Sequence, residues 1–176
     1  MKEIISPPIR QVKREVRTLG IAIRKRILGE GFNIVGVVFR GNSLLDGVMK
    51  SITKGTDLIP DVVNMILSSP HYEQVRIIIL EHPISYEAES LDPLRLAQSV
   101  KKPVLILSFN INPPLLWEGA THFQIKKEET ILNITSLGLK PRTAERVIKM
   151  ASRLDEALPE CLRVANLILD SLACCE

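Results

Sequence analysis

The chain of 176 residues has little of several features that mark particular classes of protein. It has three cysteines, an odd number, at spacings that indicate neither a disulfide framework nor a zinc site. Aromatic residues make up 4% of the chain, too few for the stacking platform that is typical of single-strand nucleic-acid binders. The longest apolar runs, residues 34–39 and 75–80, are too short to span a bilayer.

The amino-terminal residues also lack the apolar stretch of a signal peptide, and the odd cysteine count agrees with a reducing compartment. We therefore expect a cytoplasmic protein. Hydrophobic residues make up 45% of the chain, and its length suits one domain. We expect a single domain over residues 1–176, in which residues 143–173 are a possible pair of C-terminal helices.

Positive charge is concentrated at the start of the chain. Residues 1–29 hold eight Lys or Arg residues against two Glu, a net +6, while the rest of the chain is −3. Arg24, Lys25 and Arg26 are consecutive and precede a loop with two glycines. A basic edge of this kind can face phosphate, although a solvated basic turn explains the same residues.

The apolar pattern predicts three strands first, over residues 16–23, 33–39 and 44–53. The links between them are short, which forces neighbouring strands to be antiparallel. A helix beginning near Asp57, a strand over 75–80, a helix capped by Ser90 and a strand over 104–108 follow. Helical crossovers make these later strands parallel.

The second half of the chain has a weaker pattern. It predicts a short helix over 115–119, strands over 122–126 and 130–135, a helix over 143–154 and a last helix from about residue 159. The whole order is typical of the ribonuclease-H-like α/β fold: a mixed sheet with an antiparallel meander, parallel strands and C-terminal helices. A flavodoxin-like sheet is the alternative, but it needs a helix between the first two strands, for which there is no room.

Several motifs resemble an archaeal family of uncharacterised proteins related to endonuclease V, catalogued as domain of unknown function ninety-nine. The motifs occur in the same order in both, at residues 35–41 (VGVVFRG), 45–48 (LDGV), 55–57 (GTD) and 159–168 (PECLRVANLI). The resemblance implies an endonuclease-V-like three-layer fold and descent from metal-dependent endonucleases that act near deaminated purines. Neither a haem nor a nucleotide cofactor is implied, and no membrane partner.

Two positions depart from the family pattern. The first strand reads Leu-Gly-Ile-Asp-Asp in the family, and here Ala22 stands where the first aspartate is expected. The fourth strand is followed by Leu-Asp-Gly in the family, and here Glu81 replaces the aspartate and His82 the glycine. A methyl group cannot bind Mg²⁺, and the extra methylene of Glu81 displaces the carboxylate in a site that demands octahedral geometry. We interpret the implied metal site as eroded.

The remaining carboxylates are candidates for a residual site. Glu81 is the first candidate as catalytic residue and metal ligand, Asp46 the second in both roles, and Asp92 a third metal ligand; turn and helix-start roles explain Asp46 and Asp92 equally. Arg24, Lys25 and Arg26 are the candidate nucleic-acid contacts. His82 adjoins Glu81 and is a weaker candidate.

Two hypotheses follow. The first is a catalytically degenerate protein that binds nucleic acid or a protein partner through the inherited cleft and needs no cofactor. The alternative is a weak endonuclease that uses Mg²⁺ or Mn²⁺ on deaminated nucleic acid, with Glu81 as its main ligand.

Overall fold

The computed structural model describes residues 9, 12–55, 57–81, 91–109, 117–127 and 130–173. Seven strands form one sheet in the order β3-β2-β1-β4-β5-β7-β6. Their bounds are β1 Arg17–Lys25, β2 Phe32–Arg40, β3 Leu44–Thr53, β4 Ile77–Glu81, β5 Val104–Phe109, β6 Ala120–Lys127 and β7 Thr130–Leu137.

The sheet is mixed, as the lengths of the connections predict. β1, β2 and β3 form an antiparallel meander, with Ala22 opposite Val35 and Val37 opposite Val48. β4 pairs in parallel with β1 and with β5, because α1 and α2 make the crossovers. β7 returns antiparallel to β5, and β6 pairs antiparallel with β7.

Four helices cover the two faces of the sheet. They are α1 Ile59–Leu67, α2 Pro93–Val100, α3 Pro141–Ala151 and α4 Glu160–Ala173. The apolar sides of α1 and α2 pack on one face, and those of α3 and α4 pack on the other. Strand side chains alternate between the faces, so the even-numbered β1 residues Ala22 and Arg24 point to the α4 face.

Helix α4 lies directly on β1. A side chain on Gly20 would collide with the backbone of Cys161 and Leu162 at the start of the helix. Thr18, two residues earlier on the same face, donates from Oγ1 to Cys161 Sγ at 3.3 Å. The glycine therefore permits a close approach that fixes where α4 crosses the sheet.

Several predicted boundaries were wrong. Residues 117–119 form a turn rather than the end of a helix, and α3 runs over Pro141–Ala151 because Pro141 suits a first helical turn. The residue that caps α2 is Asp92, whose carboxylate accepts from the amides of Leu94 and Arg95; Ser90 lies outside the described residues. No helix in the described part of the chain is long and apolar enough to cross a membrane.

Candidate functional site

The candidate site lies at the carboxyl ends of β1 and β4, under α4. The strands pair in parallel with Ile21 opposite Leu80, so the next residues along, Ala22 and Glu81, are neighbours. Ala22 is buried in the core beneath α4, at 4% exposure. The position at which the family pattern has a carboxylate therefore lies beside Glu81 in space and holds a methyl group.

Helix α4 supplies a partner to Glu81. The amide Nδ2 of Asn166 donates to Glu81 Oε2 at 2.9 Å. The Oδ1 of the same amide accepts a longer hydrogen bond, at 3.5 Å, from Nη2 of Arg24. The orientation of the amide is consistent with both bonds, because its NH₂ faces the carboxylate and its oxygen faces the guanidinium.

Arg24 also forms an ion pair with the next turn of α4. Its Nη2 lies 3.0 Å from Asp170 Oδ1, and the two side chains are 48% and 59% exposed. Glu81, Asn166, Arg24 and Asp170 thus form a continuous polar contact chain, which we call the strand-end cluster. It holds two carboxylates and one fixed cation, and its outer part is open to water.

The strand-end cluster does not fit the divalent cation that the family resemblance implies. One oxygen of Glu81 already accepts from an amide, and the cation nearest to Asp170 is the Arg24 guanidinium, which would repel a metal ion. Among the described residues, no group of three or more His, Cys, Asp or Glu side chains lies close enough to hold a metal. The described side chains here are better suited to an anion beside Arg24 than to a metal.

Asp46 lies at the opposite end of the sheet from Glu81. It sits at a bulge in β3 beside Arg17 and Arg40, and β1 begins at Arg17. From Arg17 to the level of Leu80 is four residues of β1, or about 13 Å at the usual rise of a strand. The structure therefore does not bring Asp46 and Glu81 together, and they cannot share one metal ion.

Two arginines hold the Asp46 carboxylate. Arg17 Nε donates to Oδ2 at 2.7 Å, and Arg40 donates to Oδ1 at 2.7 Å and to Oδ2 at 3.2 Å. The hydrogen bond from Arg40 is the main cause that lowers the pKa of Asp46, and Arg17 adds to the effect. Both oxygens are occupied, which gives Asp46 a structural role in clamping the bulge.

Asp92 is bound to the start of α2, so its carboxylate is already used by backbone amides at 2.8 and 3.3 Å. Helix α2 packs on the face opposite α4, whereas Glu81 reaches towards α4. Asp57 likewise accepts from the amide of Ile59 and pairs with Arg95 of α2 at 3.2 Å. Both aspartates serve the ends of helices on the other layer.

The basic run extends β1 into the turn before β2. Arg24 and Lys25 are exposed strand residues, and the amide of Arg26 donates to the carbonyl of Gly31 at 3.0 Å to close the loop. The Arg26 guanidinium lies next to Gly29, which has a φ of 94°. The loop therefore presents its cations at the same end of the sheet as Glu81.

Two members of the cluster, Asn166 and Asp170, were missed by the reading of the sequence. They are 85 and 146 positions from Glu81 and Arg24 respectively. Their four-residue spacing places both on one face of α4, which is the available signal, but nothing local shows that this face meets the strand ends. His82 and residues 83–88, expected to follow Glu81, lie outside the described residues, as do Cys174 and Cys175.

The fold agrees with that of several solved structures. A protein of unknown function from Archaeoglobus fulgidus superposes with a TM-score of 0.71 at 21% identity, covering 89% of this chain and 98% of the other. Endonuclease V of Ciona intestinalis, solved with a DNA that contains inosine, gives a TM-score of 0.63 at 10% identity, covering 92% and 87%. Argonaute of Marinitoga piezophila, solved with guide RNA, gives 0.57 at 11% identity over 89% of this chain and 30% of that protein.

These similarities confirm the predicted ribonuclease-H-like α/β fold, with endonuclease V among its neighbours. At identities this low they concern the fold alone. No protein-family model matches the chain.

Comparison with curated sequences shows the family directly. The UPF0215 protein of Methanosarcina barkeri is 32% identical over 177 aligned residues, which cover 89% of this chain and 90% of the relative. The UPF0215 protein of Methanothermobacter thermautotrophicus is 27% identical over 90% of this chain and 88% of its own length. The expected relationship to uncharacterised archaeal proteins is thereby confirmed, and the chain belongs to the UPF0215 family.

Proposed function

We propose that this protein binds nucleic acid at the carboxyl ends of β1 and β4 and does not cleave it. The observation that carries the proposal is the composition of the strand-end cluster. Ala22 removes a carboxylate beside Glu81, and Arg24 introduces a cation two residues later on the same face. This exchange of an acid for a methyl group and of a metal for a guanidinium favours contact with phosphate over hydrolysis.

The basic run provides the phosphate contacts in this proposal. Arg24, Lys25 and Arg26 follow one another at the strand end, and phosphate contacts from Lys and Arg supply most of the affinity of non-specific nucleic-acid binding. Endonuclease V of Ciona intestinalis was solved in complex with DNA on the same fold, which supports nucleic acid as the ligand class. We also infer that UPF0215 and domain of unknown function ninety-nine describe the same family and that the protein works in the cytoplasm.

Binding is tested by fluorescence anisotropy with labelled DNA and RNA, each with and without inosine, over a range of salt concentrations. Replacing Arg24, Lys25 and Arg26 together by Gln should weaken binding and flatten the plot of log K against log salt by up to about 2 for a single strand. The matched control replaces three exposed cations near α3, Lys140, Arg142 and Arg146, by Gln. The same net-charge change there should leave most of the binding intact.

Cleavage is tested on the same oligonucleotides with Mg²⁺ or Mn²⁺. No metal-dependent product is expected. A product that disappears in Glu81→Ala would replace this proposal by the weak endonuclease. Equal loss of binding in the two triple variants would show that net charge alone, and no particular surface, attracts the nucleic acid. A complete lack of binding would leave protein interaction as the role of the cleft.

A further inference from the structure

Strand β3 is an edge of the sheet. It is ten residues long, Leu44–Thr53, and in the described part of the chain β2 is the one strand that pairs with it. An edge strand presents backbone N–H and C=O groups on its outer side that can pair with another strand. Such a long edge is a template for an added strand unless its side chains prevent it.

The α4 face of this edge is apolar and uncovered. Val48 is 51% exposed and Ile52 is 46% exposed. Val37, opposite Val48 on β2, is fully buried, because α4 packs over β1 and β2. Apolar side chains from an added strand would cover Val48 and Ile52 and continue this core outward.

The other face of the edge borders a groove. It has a volume of about 390 Å³ and lies between β3 and the end of α1, with Ser51, Asn64, Ser68 and His71 in its lining. The imidazole of His71 lies over Gly47, where a side chain would collide with it. A strand added to β3 would direct every second side chain into this groove.

The charges around the groove are of one sign. No Asp or Glu lines it, and its ionisable residues are Lys50 and His71. Lys54 follows the strand and is exposed. The carboxylate of Asp46, on the same strand, is already held by Arg17 and Arg40. The groove and edge therefore complement an acidic ligand.

We propose that the outer edge of β3 binds an extended acidic segment of a partner protein by β-strand addition. The backbone of the segment pairs with β3, one set of alternate side chains is apolar and covers Val48 and Ile52, and the other set is acidic and enters the groove beside Lys50 and His71. A second copy of this chain is a poorer occupant, because antiparallel pairing of two β3 edges brings together two strands that both carry Lys50 and Lys54.

The probes are two synthetic decapeptides, one of alternating valine and glutamate and the other of alternating valine and lysine. Binding is measured by fluorescence anisotropy, and the site is located by amide NMR shifts along β3. The glutamate peptide should bind about tenfold more tightly than the lysine peptide, since ion pairs at a few exposed positions become repulsions. Lys50→Glu should reduce or reverse this preference. Lys126→Glu, on the opposite edge strand β6, is the matched control and should leave it unchanged.

Backbone pairing is tested with two N-methylated forms of the glutamate peptide, methylated at odd or at even positions. Because alternate amides of an added strand face β3, one form should lose binding and the other should retain it. Equal affinity for the glutamate and lysine peptides, or equal binding by the two methylated forms, would overturn the proposal. So would self-association of the protein that Val48→Asp abolishes, since β3 would then bind a second copy.

Discussion

Asp170 gives a sharp test of nucleic-acid binding, because it neutralises the cation that the proposed site needs. Its carboxylate lies 3.0 Å from the Arg24 guanidinium, in a pair whose members are about half exposed. Replacing it by Asn keeps the size of the side chain and removes the charge. If Arg24 contacts phosphate, Asp170→Asn should tighten binding.

The size of the effect follows from two contributions. A bound phosphate competes with Asp170 for Arg24, and exposed ion pairs are worth about 0.2–1 kcal/mol. A carboxylate about 7 Å from a phosphate repels it by roughly 0.6 kcal/mol in water, which salt at about 0.1 M halves. Together they amount to about 0.5–1.3 kcal/mol, a roughly two- to ninefold increase in affinity.

The assay is anisotropy with a single-stranded oligonucleotide at several salt concentrations. Asp155→Asn is the matched control, since it removes the same charge from an exposed residue that precedes α4. Ten residues of α4 separate its first residue from Asp170, about 15 Å along the axis and beyond the screening length. If Asp170→Asn and Asp155→Asn shift the affinity equally, or if neither does so while Arg24→Gln is also silent, Arg24 is not a phosphate contact.

Three further predictions concern the fold that supports the site. Glu160 is fully buried and takes hydrogen bonds at 2.7 and 2.9 Å from Arg163, with Arg153 at 3.2 Å, so Glu160→Gln should cost roughly 2–3 kcal/mol of unfolding free energy by urea denaturation; Glu145→Gln, in an exposed pair with Lys149, should cost under about 0.5 kcal/mol. The lowered pKa of Asp46 means that its stabilisation is present above its ordinary pKa of 3.8 and is lost as pH falls through the lower folded value, so Asp46→Asn should destabilise the protein at pH 7 and much less near pH 2; an equal deficit at both pH values would refute an electrostatic role. Burial raises the pKa of the Cys161 thiol to about 12, so in a Cys174→Ser, Cys175→Ser background Ellman's reagent should react with the native protein only as fast as it unfolds, and rapid labelling would contradict this.

Much of the sheet could be predicted from local patterns. The bounds of β3 match the structure, because a turn at Gly41 and Asn42 precedes it and Gly55 follows it. β1 runs two residues farther than its apolar pattern, since Arg24 and Lys25 stay paired with Asn33 and Phe32 of β2. Backbone pairing carries a strand past its last apolar residue, and composition does not reveal this.

The candidate site could be predicted only in part. The strand residues Ala22, Glu81 and Arg24 could be singled out because strand ends in such sheets gather at one edge. Asn166 could not be assigned to Glu81, since the contact depends on where α4 crosses the sheet. Asp46 and Asp92 looked equivalent to Glu81 as carboxylates in the sequence, and their separation from it follows from strand direction and from the choice of sheet face.

The contact between Gly20 and the first turn of α4 makes that helix a lever. Asn166 and Asp170 lie five and nine residues beyond Cys161, or about 7.5 and 13.5 Å along the axis. A tilt of roughly 10° about the glycine would move Asp170 by over about 2 Å, enough to separate it from Arg24. A ligand that draws Arg24 away therefore releases the far end of a rigid rod whose pivot is a missing side chain, so occupancy at the strand ends would be reported mechanically at the opposite side of the molecule.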